Sequence, residues 1–270
     1  MLFNLTILTP AISLAGVFLF LNITNNMGNI LIGTDPEFFV VGSINEYINP
    51  KLITNGTKKN PQRYSKGVIH QDAAAVEFSI EPCSTAEQFS ANIQEALDSI
   101  FINPYFKMYP YTAIELDEED IKFDPSLSEV GCAPDFKFID GKRVRRRLTY
   151  NNTNWRMAGG HIHIGIGFIE DSKVLQNIIN DLDEKFMSWY REQDFYHAET
   201  EAIREAHYGD NGVFRQKDYG LEYRTPSMAW IKTHEDRVNV FNKIYEIVKP
   251  YECIVSKERE KRDILSTRIS

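Results

Sequence analysis

The sequence predicts an α+β protein, and two kinds of pattern support this. Four stretches, 30–41, 73–82, 159–165 and 221–227, alternate apolar and polar residues with the period of two typical of a half-buried strand. Three others, within 86–100, 171–192 and 238–248, repeat apolar residues at helical spacing. The chain has 270 residues, enough for one large domain or two small ones with a sizeable core.

The composition is that of an ordinary globular protein, with 43% hydrophobic and 25% charged residues. A formal net charge of -8 argues against nucleic-acid binding over a broad surface, so no nucleic-acid partner is expected. The three cysteines, Cys83, Cys132 and Cys253, have no C-x-x-C spacing, which excludes a disulfide framework and a cysteine-rich zinc site. Sparse cysteines also fit a reducing compartment, and we expect a cytoplasmic location.

The N-terminal segment differs from the rest of the chain. Its first charged side chain is Asp35, and residues 5–23 are mostly apolar and long enough to cross a bilayer, where about 20 apolar residues are needed. Pro10, Asn22 and the lack of Lys or Arg do not suit a signal peptide. Residues 1–26 are therefore interpreted as a membrane anchor or as an over-extended reading of the start codon, with the second slightly favoured. We expect the globular domain over 27–256 and a charged, mobile tail over 257–270.

The first predicted strand covers 30–41 and carries two acids. Pro36 withholds a hydrogen-bond donor from the sheet, so this part of the strand is expected at a sheet edge or a bulge. Asp35 and Glu37 are two residues apart and therefore share one face. Neighbouring carboxylates stay ionised together most easily when cations lie between them. Taken alone, solvated acids at a strand–turn boundary are the simpler interpretation.

The second predicted strand follows a loop over 55–66 that is rich in Gly, Asn and Lys. Glu77, Ser79 and Glu81 alternate there with apolar residues, so the acids again lie on one face. The sequence Ser84-Thr-Ala-Glu87 then resembles a capping box for the helix over 86–100. That helix is amphipathic and is expected to cover the sheet.

A cationic hairpin is predicted in the middle of the chain, after an acidic run over 115–124 that is expected to be solvated. Asp140-Gly141 is a typical hairpin turn, and basic residues crowd the strand that follows it. These residues are Lys142, Arg143, Arg145, Arg146 and Arg147. The strand is either part of a plain exposed hairpin or a cationic arm for phosphate or an acidic substrate, and the sequence favours neither.

The stretch 159–165, Gly-Gly-His-Ile-His-Ile-Gly, is the centre of the functional prediction. Ile162 and Ile164 alternate with His161 and His163, so the imidazoles share one strand face, roughly 7 Å apart. A buried imidazole needs hydrogen-bond partners, and flanking glycines let a ligand approach the backbone. The pair suits a metal or phosphate site, and the alternative is two polar residues on a solvated sheet face.

The C-terminal part of the chain supplies further helices and the last predicted strand. The helix over 171–192 has a long apolar stripe, and 198–207 is a short charged helix. Glu222 and Arg224 share a face of the strand over 221–227. The final helix, over 238–248, is expected to stop at Pro250.

The polar faces of the predicted strands form one constellation. Each strand carries paired functional groups two or four residues apart, namely Asp35/Glu37, Glu77/Glu81, His161/His163 and Glu222/Arg224. Hard oxygen ligands with some imidazole suit Mg²⁺ or Mn²⁺ better than a closed zinc site. Several carboxylates with nearby arginines are also what a nucleoside triphosphate and its metals require, because the cations bridge the phosphates and arginine neutralises the developing charge.

These motifs resemble those of the phage-type COOH–NH2 ligases (type 2), which belong to the glutamine synthetase-like amidoligases alongside glutamate–cysteine ligases. The resemblance covers roughly residues 27–230, and the ordered set of motifs is specific although each is short. The matching motifs are Gly33-Thr-Asp-Pro-Glu37, Val76-Glu-Phe78, Gly131-Cys-Ala-Pro-Asp135, Gly159-Gly-His-Ile-His-Ile-Gly165 and Leu221-Glu-Tyr-Arg224.

The resemblance implies a glutamine synthetase-like fold, a curved and mostly antiparallel sheet with helices packed on its outer face. ATP and two or more Mg²⁺ (or Mn²⁺) ions would lie in the concave face. The carboxylate substrate would attack the γ-phosphate to give an acyl phosphate, and an amine would then displace phosphate to form an amide.

The resemblance also implies a role for each site residue. Metal ions would be held by Asp35, Glu37, Glu77, Glu81, His161 and Glu222. The catalytic residues would be Arg224, His161 and Arg215. Nucleotide contacts would come from His163, Arg156 and Arg204, with Arg204 and Arg215 both candidates for an additional phosphate arginine.

Three other functions stay open from the sequence alone. A metal-dependent hydrolase could use His-x-His and the acids, but it would need no ATP and would not explain Glu222-x-Arg224. A guanidino kinase, which has a related catalytic sheet, would phosphorylate a nitrogen and form no amide. A catalytically inactive, phage-encoded binding protein would keep the fold, although the intact acids and arginines weigh against decay.

The partners expected for a ligase are a carboxylate and an amine, each a small molecule, a peptide or a protein. If the protein is phage-encoded, its compartment would be the host cytoplasm, with membrane contact only if the segment 5–23 acts as an anchor.

Overall fold

The computed structural model describes residues 30–129, 135–146 and 153–267. Its main feature is a nine-stranded sheet in which neighbouring strands pair antiparallel. The α+β class with a large antiparallel sheet is thereby confirmed. From one edge to the other, the strands are β10 (Lys142–Arg145), β9 (Phe136–Ile139), β13 (Phe214–Lys217), β14 (Gly220–Tyr223), β12 (Gly160–Gly165), β1 (Leu31–Phe38), β6 (Ala75–Ile80), β5 (Gly67–Asp72) and β4 (Gln62–Tyr64).

Strand β1 lies in the interior of this sheet, so the prediction that Pro36 lies at a sheet edge is wrong, whereas the alternative of a bulge is not contradicted. Residues 31–36 pair with β12, and Glu37 then pairs with Glu77 of β6. Pro36 occupies the last position of the β12 pairing, and the next backbone N–H, from Glu37, donates to the Gly159 carbonyl at 2.8 Å. Pro36 has no backbone N–H to donate, but it lies where pairing with β12 ends and pairing with β6 begins. The strand tolerates it there because the hydrogen bonds of the sheet resume at Glu37.

Two smaller sheets accompany the main one. One contains β2 (Val40–Val41), β3 (Tyr47–Ile48) and β7 (Lys107–Met108), and the other pairs β8 (Ala113–Glu115) with β11 (Trp155–Met157). The strand expected over 30–41 is therefore divided between two sheets, with β1 ending at Phe38.

Side chains alternate between an apolar and a polar face along the central strands. Ile162 and Ile164 of β12 are fully buried on the apolar face, and Ile32 of β1 joins them. Because successive side chains of a strand point to opposite faces, the two histidines of β12 and the two acids of β1 lie on the other face. The apolar alternation thus determines where the polar groups gather.

Helices cover the apolar face and complete the core. Helices α1 (Ala86–Ile100) and α5 (His234–Thr267) pack on each other, and α1 contacts β6. Helix α3 (Ser172–Asp181) continues through a π-helical turn (Leu182–Met187) to a last turn at Ser188–Tyr190, and it also packs on α5. A 3-10 turn (Met228–Ile231) lies against β1 and β12, and its Trp230 stacks on Phe89 of α1 with ring centroids 5.7 Å apart.

The structure confirms two predicted helices, with a shift of one residue in the N-cap of the first. The helix over 86–100 is confirmed, but its cap is Thr85, whose side chain accepts a hydrogen bond from the Gln88 N–H at 3.2 Å. The N-cap is thus Thr85, one residue after the predicted Ser84. The two remaining helices are α2 (Glu118–Phe123), within the acidic run, and α4 (Ala198–His207), which confirms the predicted short charged helix.

The final helix does not stop at Pro250, and the prediction that it does is wrong. Helix α5 runs from His234 to Thr267 with Pro250 inside it. Proline removes one hydrogen bond from a helix interior, but the stretch 257–262 after it consists only of Lys, Glu and Arg, which are strong helix formers. The expected tail over 257–270 is therefore helical as far as Thr267.

Within the described residues, no helix combines the length and the apolar character that a membrane span requires. The apolar segment 5–23, and the choice between an anchor and an over-extended start, lie outside these residues.

Candidate functional site

The polar face of the sheet collects charged side chains from six neighbouring strands. In spatial order these strands are β13, β14, β12, β1, β6 and β5. Their side chains form three sets that follow one another across the sheet. We call them the cationic cluster (Arg215, Lys217 and Arg224), the histidine group (Asp35, His163 and Glu222) and the acidic group (Glu37, Asp72 and Glu77).

The histidine group lies at the middle of the sheet. Its three residues offer ligand atoms that all lie within 4.8 Å of one another. Asp35 Oδ1 is 3.0 Å from His163 Nε2 and 3.2 Å from His161 Nδ1, so both predicted histidines converge on one carboxylate. Burial opposes ionisation of Asp35, but the charge of His163 and the hydrogen bond from His161 outweigh it and lower the pKa of Asp35. The alternative of two histidines on a solvated sheet face is wrong, because both are buried.

Two tyrosines that sequence reasoning missed orient the imidazoles. The Tyr208 hydroxyl hydrogen-bonds His161 Nε2, and the Tyr219 hydroxyl hydrogen-bonds His163 Nδ1. Both tyrosines are buried. Each imidazole is therefore held at both ring nitrogens, which fixes the ring orientation in the way that outer hydrogen bonds orient metal-binding histidines. Tyr208 lies just after α4 and Tyr219 between β13 and β14, at positions where no local pattern marks them.

The acidic group places three carboxylates within 4.8 Å of one another. Glu37 Oε2 also accepts a hydrogen bond from the Gly159 N–H at 3.0 Å. Burial, together with the charges of Asp72 and Glu77, raises the pKa of Glu37 to about 8. Burial and the Glu77 charge likewise raise the pKa of Asp72. The raised pKa values reflect mutual repulsion among these carboxylates when they are ionised, and a cation between them would relieve that repulsion.

Two basic side chains adjoin the acidic group. Lys58 Nζ lies 2.7 Å from Asp72 Oδ2 and 3.9 Å from Glu77 Oε2. His70 Nε2 lies 3.1 Å from Glu77 Oε2. Although burial opposes the shift, the charge and hydrogen bond of His70 and the charge of Lys58 lower the pKa of Glu77 to about 2.

The cationic cluster surrounds the carboxylate of Glu222. Lys217 Nζ is 2.7 Å from Glu222 Oε2, Arg215 Nη1 is 3.2 Å from Oε1, and Arg224 Nη1 contacts Oε1 as well. Burial opposes ionisation, yet the charges of Arg215, Arg224 and Lys217 hold the pKa of Glu222 well below its usual range. Asp135 adds a second buried carboxylate, 2.9 Å from Arg215 Nε and 3.1 Å from Arg224 Nε.

Charge therefore changes sign across the polar face. At β13 and β14, three cations face the two carboxylates Glu222 and Asp135. At β1, β6 and β5, three carboxylates face Lys58 and the imidazole of His70. The first end suits an anion such as phosphate, and the second suits a hard divalent cation, which prefers carboxylate oxygens.

Four predicted site residues lie outside these sets: His161, which contacts Asp35 beside the histidine group, and Glu81, Arg156 and Arg204. Glu81 follows the end of β6, four residues beyond Glu77, and its backbone N–H donates to Lys66 O at 2.7 Å. A strand rises about 3.3 Å per residue, so those four residues carry Glu81 away from the acidic group. Glu81 lies beyond the end of β6 and does not join the acidic group.

The two arginines predicted to contact nucleotide have structural partners instead. Arg204 is 1% exposed, and its guanidinium donates to three carbonyls, those of Ala158 at 2.9 Å, Thr225 at 2.9 Å and Pro226 at 3.0 Å. Arg156 belongs to β11, outside the main sheet. Its guanidinium donates to the carbonyls of Leu127, Thr153 and Trp155.

The predicted cationic hairpin forms, with Asp140 and Gly141 at φ 50° and 73° in the turn between β9 and β10. Arg143 lies over the Phe136 ring, 4.0 Å from its centroid, and Arg146 forms an ion pair with Asp210. Lys142 and Arg145 are exposed, and Arg147 lies outside the described residues. At least two cations of the predicted arm, Arg143 and Arg146, thus contact residues of the fold itself.

Sequence reasoning missed Asp72, Lys58, His70 and Lys217. A signal for three of them was present, because His70 and Asp72 alternate within β5 and Lys217 follows Arg215 by two residues in β13. Lys58 comes from a loop, and only the fold brings it to the acidic group.

Comparison of the chain with protein-family models, with curated proteins and with solved structures finds no match to any of the three.

Proposed function

We propose that this protein is an ATP- and Mg²⁺-dependent ligase that joins a carboxylate to an amine through an acyl phosphate, on a glutamine synthetase-like sheet. The observation that carries the proposal is the change of charge across one sheet face, from the cationic cluster to the acidic group. A nucleoside triphosphate with its metals needs both kinds of site side by side, since the phosphates are anionic and the metals bind hard oxygen.

The carboxylate oxygens fit a divalent metal. Glu37, Asp72 and Glu77 converge within 4.8 Å, and their mutual repulsion, seen in the raised pKa of Glu37, is relieved by a cation. Asp35, His163 and Glu222 form a second set with the same spacing. A bound Mg²⁺ would neutralise phosphate oxygens and withdraw charge from the transferred phosphoryl group.

Arg224 is the group best placed to act on the phosphate. It is 3% exposed, and its guanidinium contacts Glu222, Asp135 and the Tyr208 hydroxyl, which hold it in one orientation. Arg215 and Lys217 lie on the adjacent strand and add positive charge. Fixed cations of this kind stabilise a transferring phosphoryl group without reorganising during the reaction.

The chemistry that these residues support is activation of a carboxylate. A carboxylate is a poor electrophile, so its oxygen first attacks the γ-phosphorus of ATP, the bond to ADP breaks, and an acyl phosphate forms. The amine nitrogen then attacks the acyl carbon, the carbon–oxygen bond breaks, and phosphate leaves with that oxygen while the nitrogen loses a proton. Both steps depend mainly on positioning and charge neutralisation.

The decisive experiment follows oxygen from the substrate into phosphate. A panel of carboxylates and amines is first screened by mass spectrometry for amide products that depend on ATP and Mg²⁺. The active carboxylate is then labelled with ¹⁸O, and one labelled oxygen is expected in the released phosphate. Amide without label in phosphate would refute the acyl phosphate, and turnover without ATP would indicate a metal-dependent hydrolase.

A matched pair of variants tests the metal assignment. Glu77→Gln removes one anionic ligand from the acidic group and is expected to weaken Mg²⁺-dependent ATP binding strongly. Glu81→Gln makes the same change four residues further along the chain, outside the group, and is expected to leave binding unchanged. Equal binding in both variants and the wild type would exclude the acidic group as a metal site.

A further inference from the structure

Lys58 occupies the mouth of the acidic group in a way that the proposed chemistry does not use. Its ammonium nitrogen is 2.7 Å from Asp72 and 3.9 Å from Glu77, while its side chain remains 39% exposed. The acidic group therefore already holds one positive charge, supplied by the chain itself. That charge lies against two of the three carboxylates that would bind a metal.

The turn that carries Lys58 is anchored to the strand beneath it. Thr57 and Asn60 exchange backbone hydrogen bonds of 3.1 and 3.0 Å, which places Lys58 and Lys59 at the two central positions. Just before the turn, the Gly56 carbonyl accepts a hydrogen bond of 3.0 Å from the N–H of Gln71 in β5. Lys58 reaches the acidic group and Lys59 is exposed, so one turn presents two lysines to different surroundings.

The buried imidazole of His70 indicates that the group is built around a ligand. His70 is 2% exposed, and its Nε2 points at Glu77 from 3.1 Å. Among the described residues, Nδ1 has no hydrogen-bond partner, and Nε2 faces only the Glu77 carboxylate. A buried ring nitrogen without a partner calls for one at the site, such as a water or a polar group of a ligand.

We propose that the Lys58 ammonium is a built-in competitor of the divalent cation at the acidic group. The ammonium neutralises Asp72 and Glu77 when no metal is bound, and it must leave before those oxygens can coordinate a metal. Its partly exposed side chain can turn into solvent while the anchored turn stays in place. The inference rests on the proposed function, since it assigns a control to the same metal site.

Competition of this kind has a measurable consequence. The apparent dissociation constant of the metal equals the intrinsic constant divided by the fraction of molecules in which Lys58 has left the site, so removing the ammonium tightens binding. Mn²⁺ alone, without nucleotide, is the probe, titrated at constant ionic strength and followed by electron paramagnetic resonance of the free ion. Lys58→Met is expected to lower the apparent dissociation constant about tenfold.

Two variants separate competition from a general loss of positive charge. Lys59→Met makes the same change in the same turn, away from the carboxylates, and is expected to bind Mn²⁺ like the wild type. Lys58→Arg keeps a cation at the site and is also expected to match the wild type. An unchanged or weaker affinity in Lys58→Met, with the wild type binding Mn²⁺, would overturn this inference alone. Absence of Mn²⁺ binding in every variant would overturn the proposed metal site together with it.

The wild-type protein offers an independent measurement. Amine acetylation followed by mass spectrometry reports how accessible each lysine is. Mn²⁺ is expected to raise the acetylation of Lys58 several-fold and to leave that of Lys59 unchanged. Acetylation of Lys58 that stays the same when Mn²⁺ is bound would contradict its release.

Discussion

Two buried arginines, Arg204 and Arg224, differ in the partners that their guanidinium groups contact. Arg204 donates to three backbone carbonyls, which cannot change partners without disturbing the fold. Arg224 contacts the carboxylates of Glu222 and Asp135 beside two further cations. An incoming anion can share these cations with the carboxylates. Arg224 is therefore suited to bind an anionic ligand, whereas Arg204 holds the backbone of the fold in place. Sequence alone rated both as candidates for phosphate binding.

At Arg224 we expect turnover to fall more than nucleotide affinity. Arg224→Ala removes a cation that acts most strongly as charge moves during phosphoryl transfer, so kcat is expected to fall by about 10²-fold or more. The KM for ATP is expected to change far less. Steady-state kinetics of amide formation provide the measurement, with the exposed Arg145→Ala as the control. An equal loss in kcat and in affinity would show that Arg224 only binds the ground state.

The raised pKa of Glu37 predicts how the stability of the metal-free protein depends on pH. Burial and the charges of Asp72 and Glu77 raise the pKa of Glu37 from 4.5 to about 8, so between these values the folded state binds more protons than the unfolded state. Stability must then fall as pH rises through this window, by up to about 1.4 kcal/mol per pH unit for one proton. Urea unfolding in the presence of a chelator, from pH 5 to pH 8, measures the slope. Glu37→Gln is expected to flatten it, and parallel curves for the two proteins would contradict the assignment.

At the scale of elements, the sequence predicts correctly those features that depend on residues close together in the chain, such as the alternation of apolar and polar residues along one strand. The two faces of β12 and the start of α1 near Thr85 follow from neighbouring residues, and the structure confirms them. The acidic group does not follow in the same way, because Asp72 joins Glu37 only through the pairing of β1, β6 and β5. Alternation predicts which face a side chain occupies, but strand register and loop path decide which side chains meet.

The entrance to β12 shows how closely the backbone packs beside the histidines. The Gly160 N–H donates to the Pro226 carbonyl at 2.9 Å, and a Cβ on Gly160 would lie 2.0 Å from the Ser227 carbonyl oxygen. A Cβ on Gly159 would instead lie 2.3 Å from Nε2 of His161. Gly160 is thus required by the close approach of the Ser227 backbone, and Gly159 by the position of the His161 imidazole.

These contacts predict different outcomes for two alanine substitutions. Gly160→Ala forces β12 away from Ser227 and is expected to reduce the free energy of unfolding by about 1–3 kcal/mol. Gly159→Ala displaces the His161 side chain, so it is expected to change the His161 imidazole resonances in NMR spectra with a smaller loss of stability. Equal stability of Gly160→Ala and the wild type would contradict the close approach.

At the scale of the whole molecule, Ile30, the first described residue, is 2% exposed and already belongs to the buried core directly before β1. A chain that starts at Met27 keeps every described residue, so it is expected to be soluble and to melt at the same temperature as the full chain. Thermal unfolding of the two proteins, followed by circular dichroism, tests this. A truncated chain that is insoluble or melts at a clearly lower temperature would show that residues 1–26 belong to the domain.

The central position of β1 has a consequence for the internal motions of the sheet. Without β1, the nine strands would separate into a ladder of five and a ladder of three, each carrying one end of the charged face. Asp35 and Glu37 stand on this one strand, so two peptide units set the spacing between the histidine group and the acidic group. Any fluctuation that pulls the two ends apart must break the pairing of β1 with β12 or with β6. We therefore expect the backbone amides of β1 to exchange with deuterium only through global unfolding, and later than those of β4 or β10 at the sheet edges.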